Sequence, residues 1–290
     1  MSLTDDVRAT CREIAANARH VRIDLDRLSD VEPGEPLALD ADRHYLEGTP
    51  EEVAHYMLVL DSINFGSGWF PTLRKRPGMS GYFTVASSLT DFWRSGGGWP
   101  ARQLRELTVD DVATVLGQDP AHELMGLYAH ALRDLGRFLD GRRALDAVAA
   151  AGGSAERLAS MLADGMPFFD DVGFWKRAQI LPNDLALAGV AEFRGLDRLT
   201  IFADNVVPHV LRVEGVLAYQ PELAARIDAG ELLPPGEAER EIRGCTVHAC
   251  ELLSTRLRVP ARLLDAALWT KGQAPRYKSV PRHRTRTVFY

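Results

Sequence analysis

The chain has 290 residues, 46% of them hydrophobic, which is enough apolar material to close the core of one large domain or two small ones. Asp and Glu (40) outnumber Lys and Arg (34) for a formal charge of -6, so no broad field draws the molecule to a phosphate backbone, and duplex nucleic acid is excluded as a default partner. No apolar run reaches the roughly 20 residues of a membrane span, the first residues lack a signal-peptide layout, and Cys11, Cys245 and Cys250 lack the CxxC spacing of a zinc site or a disulfide framework, so a cytoplasmic protein is expected.

Helix signals dominate the rest. Thr4 is placed to cap a first helix carrying Val7, Cys11, Ile14 and Ala18 at helical spacing, and "HVRIDL" near residue 20 reads as a short strand. Thr49-Pro50-Glu51-Glu52 is a capping box with proline at the first helical position and opens a helix over 50–63. Further helices are predicted over 81–94, 109–116 with Thr108 as cap, 120–140, 142–151, 155–164, 174–190 with an irregularity at Pro182, 206–218, 221–229, 237–257 and 260–270. The terminal "TRTVFY" is a second strand candidate, and "SGGGWP" at 95–100 reads as a loop. About eleven helices, with no internal repeat, give a mainly α fold: one domain over 1–290, drawn as two helical lobes around a cleft.

Five stretches put polar groups where a helical core prefers apolar ones. In "LDSINFGSGWFP" (60–71) a helix runs into a Gly-Ser-Gly turn whose Trp69 and Phe70 serve either as a pocket wall or as a hydrophobic plug, the plug being the simpler reading. In "FFDDVGFWKRAQILPNDL" (168–185) Asp170 or Asp171 is a candidate cap, and Lys176 beside Trp175 either rests its stem on an apolar wall or meets an anion. In "FADNVVPH" (202–209) Asp204 lies in an apolar frame, where an ionised carboxylate costs several kcal/mol unless something pairs with it; capping the helix that begins near Val206 is the plain alternative. In "ARLLDAALWTKGQ" (261–273) Asp265 lies one helical turn before Trp269. The end of the chain concentrates Lys278, Arg282, His283, Arg284 and Arg286 in an otherwise acidic protein. His248 reads as a core histidine, and neither His20 nor His55 has a second ligand at metal spacing. Walker loops, GxGxxG, GxSxG and HExxH are absent from the sequence.

Taken in order, "INFGSGWF", "FWKRAQIL", "LTIFADNVVPHVL", "EIRGCTVHACELL", "LLDAALW" and "HRTRTVFY" resemble the queuosine salvage protein family from about residue 10 to the end of the chain. The sequence departs from the family's commoner pattern at Asn205-Val206, where Tyr-Arg is frequent, and at His209, where Gln is frequent. The resemblance implies a helical fold similar to helix-hairpin-helix DNA glycosylases and hydrolysis of the N-glycosidic bond of queuosine 5'-phosphate, a small-molecule nucleotide, with no metal or organic cofactor.

That reaction sets physical requirements on the site. A guanine-like base offers N1–H and a 2-amino group to a carboxylate, and Asp204 beside Phe202 suits this pairing, with Phe65, Asn64, Trp69 and Trp269 as further contacts. Breaking the C1'–N bond builds positive charge on the ribose, for which Asp265 is the first candidate, although the two aspartates can exchange roles. Lys176, Arg284 and Arg286 are expected to meet the 5'-phosphate, with His20 as an additional substrate contact. Two other functions fit the residues: a non-catalytic binder of a modified nucleoside or tRNA, and a DNA-glycosylase-like enzyme.

Overall fold

The computed structural model describes residues 2–36 and 38–290 and is mainly α-helical. Helix α1 (Leu3–Asn17) is capped by Ser2, whose hydroxyl accepts from the Asp5 N–H; Thr4, the expected cap, is instead buried inside the helix and bonded to Glu156. Strand β1 (Val21–Ile23) and α2 (Leu25–Ser29) follow. Helix α3 (Pro50–Ser62) carries the expected Thr49–Glu52 capping box, and α4 (Gly81–Arg94) is capped by Ser80. Next come α5 (Ala101–Leu104) and α6 (Val109–Leu116), which starts at a Thr108–Asp111 capping box. They are followed by α7 (Glu123–Leu139), α8 (Ala144–Ala149) and α9 (Ala155–Gly165).

Helix α10 (Lys176–Leu187) begins two residues later than expected because Trp175 adopts a left-handed conformation with φ of 44°, and it continues through Pro182 without ending. The helix expected over 206–218 is only α11 (Val207–Val213). Gly215, with φ of 81°, lets the chain reverse into β2 (Leu217–Tyr219), the antiparallel partner of β1 in register Val21 with Tyr219. Then follow α12 (Pro221–Asp228), α13 (Glu237–Leu257), α14 (Ala261–Lys271) and α15 (Pro275–Lys278). The terminal "TRTVFY" forms no strand. No described helix is long and apolar enough to cross a membrane.

Two large apolar clusters hold these elements. One joins α3, α4 and α6–α10 through residues such as Met57, Leu60, Leu132, Leu162 and Leu181; the other joins α1, α11–α14 and the sheet through Val7, Val210, Ile242, Leu253 and Leu264. Each such aliphatic side chain, taken fully out of water, contributes about 1.5–3 kcal/mol. Helix α1 packs along α13, where Gly244 leaves room for Ile14; a β-carbon there would come within 2.6 Å of it. The three cysteines are buried free thiols, and burial pushes those of Cys11 and Cys245 up to about 12.

The end of the chain joins the clusters. The Arg177 guanidinium of α10 donates to the Val288 carbonyl (2.8 Å), the Gly66 N–H donates to the Tyr290 carbonyl (3.0 Å), and the Leu233 N–H donates to the Arg284 carbonyl (2.8 Å). Gly68 must be glycine for this path: a β-carbon would lie 2.4 Å from the Thr285 carbonyl oxygen. Asn205 and His209, two of the positions that depart from the family pattern, hold neighbouring turns, Asn205 by donating to the His283 carbonyl (3.3 Å) and His209 through Nε2 to the Tyr277 carbonyl (2.8 Å).

Candidate active site

A cavity of about 480 Å³ opens where the two clusters meet. Its floor is one face of α10, where Lys176, Ile180 and Asp184 recur every four residues and so point the same way. Aromatic rings make the walls: Tyr82 and Phe83 of α4 stand edge-on to Trp269 of α14, with centroids 6.0 and 5.7 Å apart, and Phe65, Phe70 and Phe202 add further surface. The Arg43 guanidinium lies 4.1 Å from the centre of the Phe83 ring. His44 donates from Nδ1 to the Asp40 carbonyl (2.9 Å), which can only accept, so its Nε2 accepts the hydrogen bond of the Tyr82 hydroxyl (3.0 Å) and fixes that ring.

Two aspartates enter from the far side. Asp204 lies in the loop before α11, and its Oδ1 accepts the N–H groups of both Val206 (2.7 Å) and Val207 (3.0 Å), closing the turn into that helix, although the N-cap position itself is Val206. Asp265, on α14, accepts the Phe202 N–H at Oδ1 (2.8 Å) and thereby ties the aromatic residue to the carboxylate. Neither interaction uses Oδ2, which leaves that oxygen of each residue for a ligand.

Four carboxyl groups gather around one ammonium. Burial pulls Lys176 below its usual range, while Asp204, Asp61 and Asp265 draw it back up; its Nζ also donates to the Asn64 carbonyl (3.4 Å). Burial raises Asp204, opposed by Lys176, by the two N–H groups it caps and by Arg282. Asp265 is pushed well above the usual carboxylate range by burial and by the charge of Asp204. Burial raises Asp184 to about 6, against the hydrogen bond from Asn183 and the charge of Lys176. Asp61, fully enclosed, is raised well above the usual range by burial and then by Asp184. Among the described residues, no group of three or more His, Cys, Asp or Glu is disposed to hold a metal ion.

A family model described as queuosine salvage protein matches residues 44–290. The chain belongs to the queuosine salvage protein family. A protein of Sphaerobacter thermophilus named queuosine 5'-phosphate N-glycosylase/hydrolase is 36% identical over 98% of this chain and 97% of its own. A protein of the same name from Bos taurus is 28% identical over 98% of both chains, and one from Dictyostelium discoideum is 39% identical over 41% of this chain and 40% of its own.

In this queuosine salvage family member, the cavity brings together many of the residues singled out from the sequence: Asn64, Phe65, Lys176, Phe202, Asp204, Asp265 and Trp269. The others lie elsewhere. Trp69 is buried as a plug, its indole N–H donating to Glu123 (2.7 Å), and Arg286 reaches the same carboxylate (3.1 Å). Arg284 donates to the Gly230 carbonyl (2.5 Å), and His20 faces a separate concavity with Arg12, Arg19 and His248. Of the terminal basic run, the cavity receives Lys278 and Arg282 instead. Asp171, a candidate helix cap, mainly pairs with Arg243, both of them buried.

Sequence reasoning missed Asp61, Asp184, Tyr82 and Arg43. Asp61 had one legible sign: it follows an apolar run, Tyr56–Leu60, that leaves the helix no wet face, and every residue from Tyr56 to Ser62 is indeed buried. Asp184 follows Pro182, which reads as an irregularity within a helix over 174–190, and nothing in its immediate sequence separates it from a solvated aspartate. The α4 aromatics carry no sequence mark that separates them from core residues.

Proposed function

We propose that this protein hydrolyses the N-glycosidic bond of queuosine 5'-phosphate, releasing queuine and ribose 5-phosphate. The observation that carries the reading is the pair Asp204 and Asp265 flanking Lys176 at one end of an aromatic-walled cavity of about 480 Å³, and the relatives' names agree with it. A cavity of that volume suits one nucleotide and is too small for a duplex.

The hydrogen bonding favours one division of labour between the aspartates. Oδ1 of Asp204 already accepts two N–H groups, so only Oδ2 is open, one oxygen short of a bidentate pair with a guanine edge. Asp265 has accepted a single N–H and keeps capacity on both oxygens, so in the ionised form, which two base donors favour against burial and the charge of Asp204, it reads N1–H and the 2-amino group. Asp204, held nearer its charged form by Lys176, two backbone N–H groups and Arg282, is then the carboxylate that balances positive charge at C1'. This exchanges the roles first expected from sequence. Water adds to C1', and its proton passes to Asp204. Phe202 and Trp269 hold the base plane, while Lys278 and Arg282, in place of Arg284 and Arg286, meet the 5'-phosphate at the cavity mouth.

The test is direct: purified protein is incubated with queuosine 5'-phosphate and the products are separated with mass detection. Free queuine together with ribose 5-phosphate is the expected result. Binding without release of base would leave a nucleoside-binding protein and overturn the enzyme reading.

A further inference from the structure

The proposed mechanism uses Asp204, Asp265 and Lys176 and leaves two further acids, the half-buried Asp184 and the buried Asp61, without a task. Asp184 borders the cavity on the same face of α10 as Lys176, two helical turns further on. Asp61 stands behind it on α3, the helix packed against α10, with no exposure, Oδ1 3.4 Å from the Asn64 amide and Oδ2 without a hydrogen-bond partner. With Asp61 fully enclosed and Asp184 half-buried in front of it, the two cannot both be ionised cheaply, so the pair retains a proton beside the cavity.

The leaving group makes such a proton useful. A 7-deazapurine has no N7 to protonate, and unaided cleavage would expel it as an anion. Lys176 is engaged elsewhere: its ammonium donates to the Asn64 carbonyl (3.4 Å) and offsets the charge of Asp204 and Asp265. We propose that Asp184, backed by Asp61, is the general acid that protonates the departing base. The electron pair of the C1'–N9 bond stays on the base, the Asp184 proton neutralises it and ends as N9–H of queuine, and water supplies the hydroxyl at C1' while its own proton goes to Asp204. Proton exchange with solvent resets both acids. This assignment rests on the proposed hydrolysis, and it adds the residue that makes the leaving group viable.

The groups that face Asp184 set the pH range in which it works: Asp61 of α3, Lys176 and Asn183 of α10, Tyr82 of α4 and Asp265 of α14. The protonated form is the active one, so activity is lost as pH rises through the range where Asp184 ionises.

The experiment compares wild type with Asp184→Asn on two substrates. One is queuosine 5'-phosphate; the other is 4-nitrophenyl β-ribofuranoside 5-phosphate, whose phenolate leaves without a proton. The amide keeps the Oδ1 that accepts from Asn183 (3.1 Å), so the fold is retained. The expected result is a fall in kcat of roughly 100-fold or more on the nucleotide and little change on the nitrophenyl compound. Equal losses on both substrates overturn the assignment. In a second measurement, the alkaline limb of the kcat/KM profile on the nucleotide disappears in Asp184→Asn; a limb unmoved in that variant overturns the assignment as well. Wild type that releases no queuine would overturn the parent reaction, whereas active wild type with an unimpaired Asp184→Asn overturns only the acid.

Discussion

Asp61 shows what an enclosed acid costs. Its folded-state pKa lies well above the ordinary value of about 3.9, so between that value and the folded one the native state holds a proton that the unfolded chain has released. Stability from this group is complete below about pH 4 and declines as pH rises through the folded pKa. Asp61→Asn removes the penalty. At pH 7.5 it is expected to raise stability by about 1 kcal/mol or more, at least roughly 1.5 °C in thermal midpoint, with a smaller gain at pH 4. A lower midpoint at pH 7.5 would show that the carboxylate is compensated. The two aspartates at the far side of the cavity separate by kinetics. Asp204→Asn is expected to lower kcat about 100-fold or more with KM nearly kept, and Asp265→Asn to raise KM about tenfold through loss of a charge-assisted pair. The opposite split would restore the roles first expected from sequence. Both residues were legible because a carboxylate in an apolar frame is conspicuous; Asp184 was not, because within the helix predicted over 174–190 it has no such frame to set it apart from a solvated aspartate.

At the scale of elements, the caps carried most of the legible information. Thr49 with Glu52 and Thr108 with Asp111 mark α3 and α6 because a local side-chain bond fixes the first turn whatever the rest of the chain does. Strand β2 was hidden because its only warrant is pairing with β1, far earlier in the chain, which no local pattern records. The same holds for the loop that carries Asp204. It is held by the Arg243 guanidinium of α13, which donates to the Ala203 carbonyl (3.0 Å), pairs with buried Asp171 and stacks on Phe174, 3.9 Å from its ring centre. Arg243→Met takes the cationic partner from buried Asp171 and Glu239, and is expected to cost about 3–5 kcal/mol in urea unfolding. Adding Asp171→Leu should recover a large part of that loss. A double variant no more stable than the single one would place the cost in the lost Ala203 contact and in buried Glu239, 3.7 Å from Arg243.

For the whole molecule, a mainly α fold was legible from helical periodicity, but the position of the cavity was not. Its lining runs from Ala38 to Tyr290 and draws on helices α4, α10 and α14 and on the turn that follows α3, so no single stretch contains the site. The basic run near the end of the chain illustrates the difficulty: composition marks it, yet only the path of the extended segment decides that Arg282 borders the cavity while Arg284 and Arg286 turn to Gly230 and Glu123. Because the lining is assembled from distant parts of the chain, unfolding of either apolar cluster dismantles it. Ligand occupancy is therefore linked to the cohesion of both. Queuine at roughly 100 times its dissociation constant should add about 2.7 kcal/mol to global stability. Slower amide exchange should then extend to α1 and α8, which contribute no residue to the cavity, so that a small molecule at the centre governs the lifetime of hydrogen bonds at the periphery.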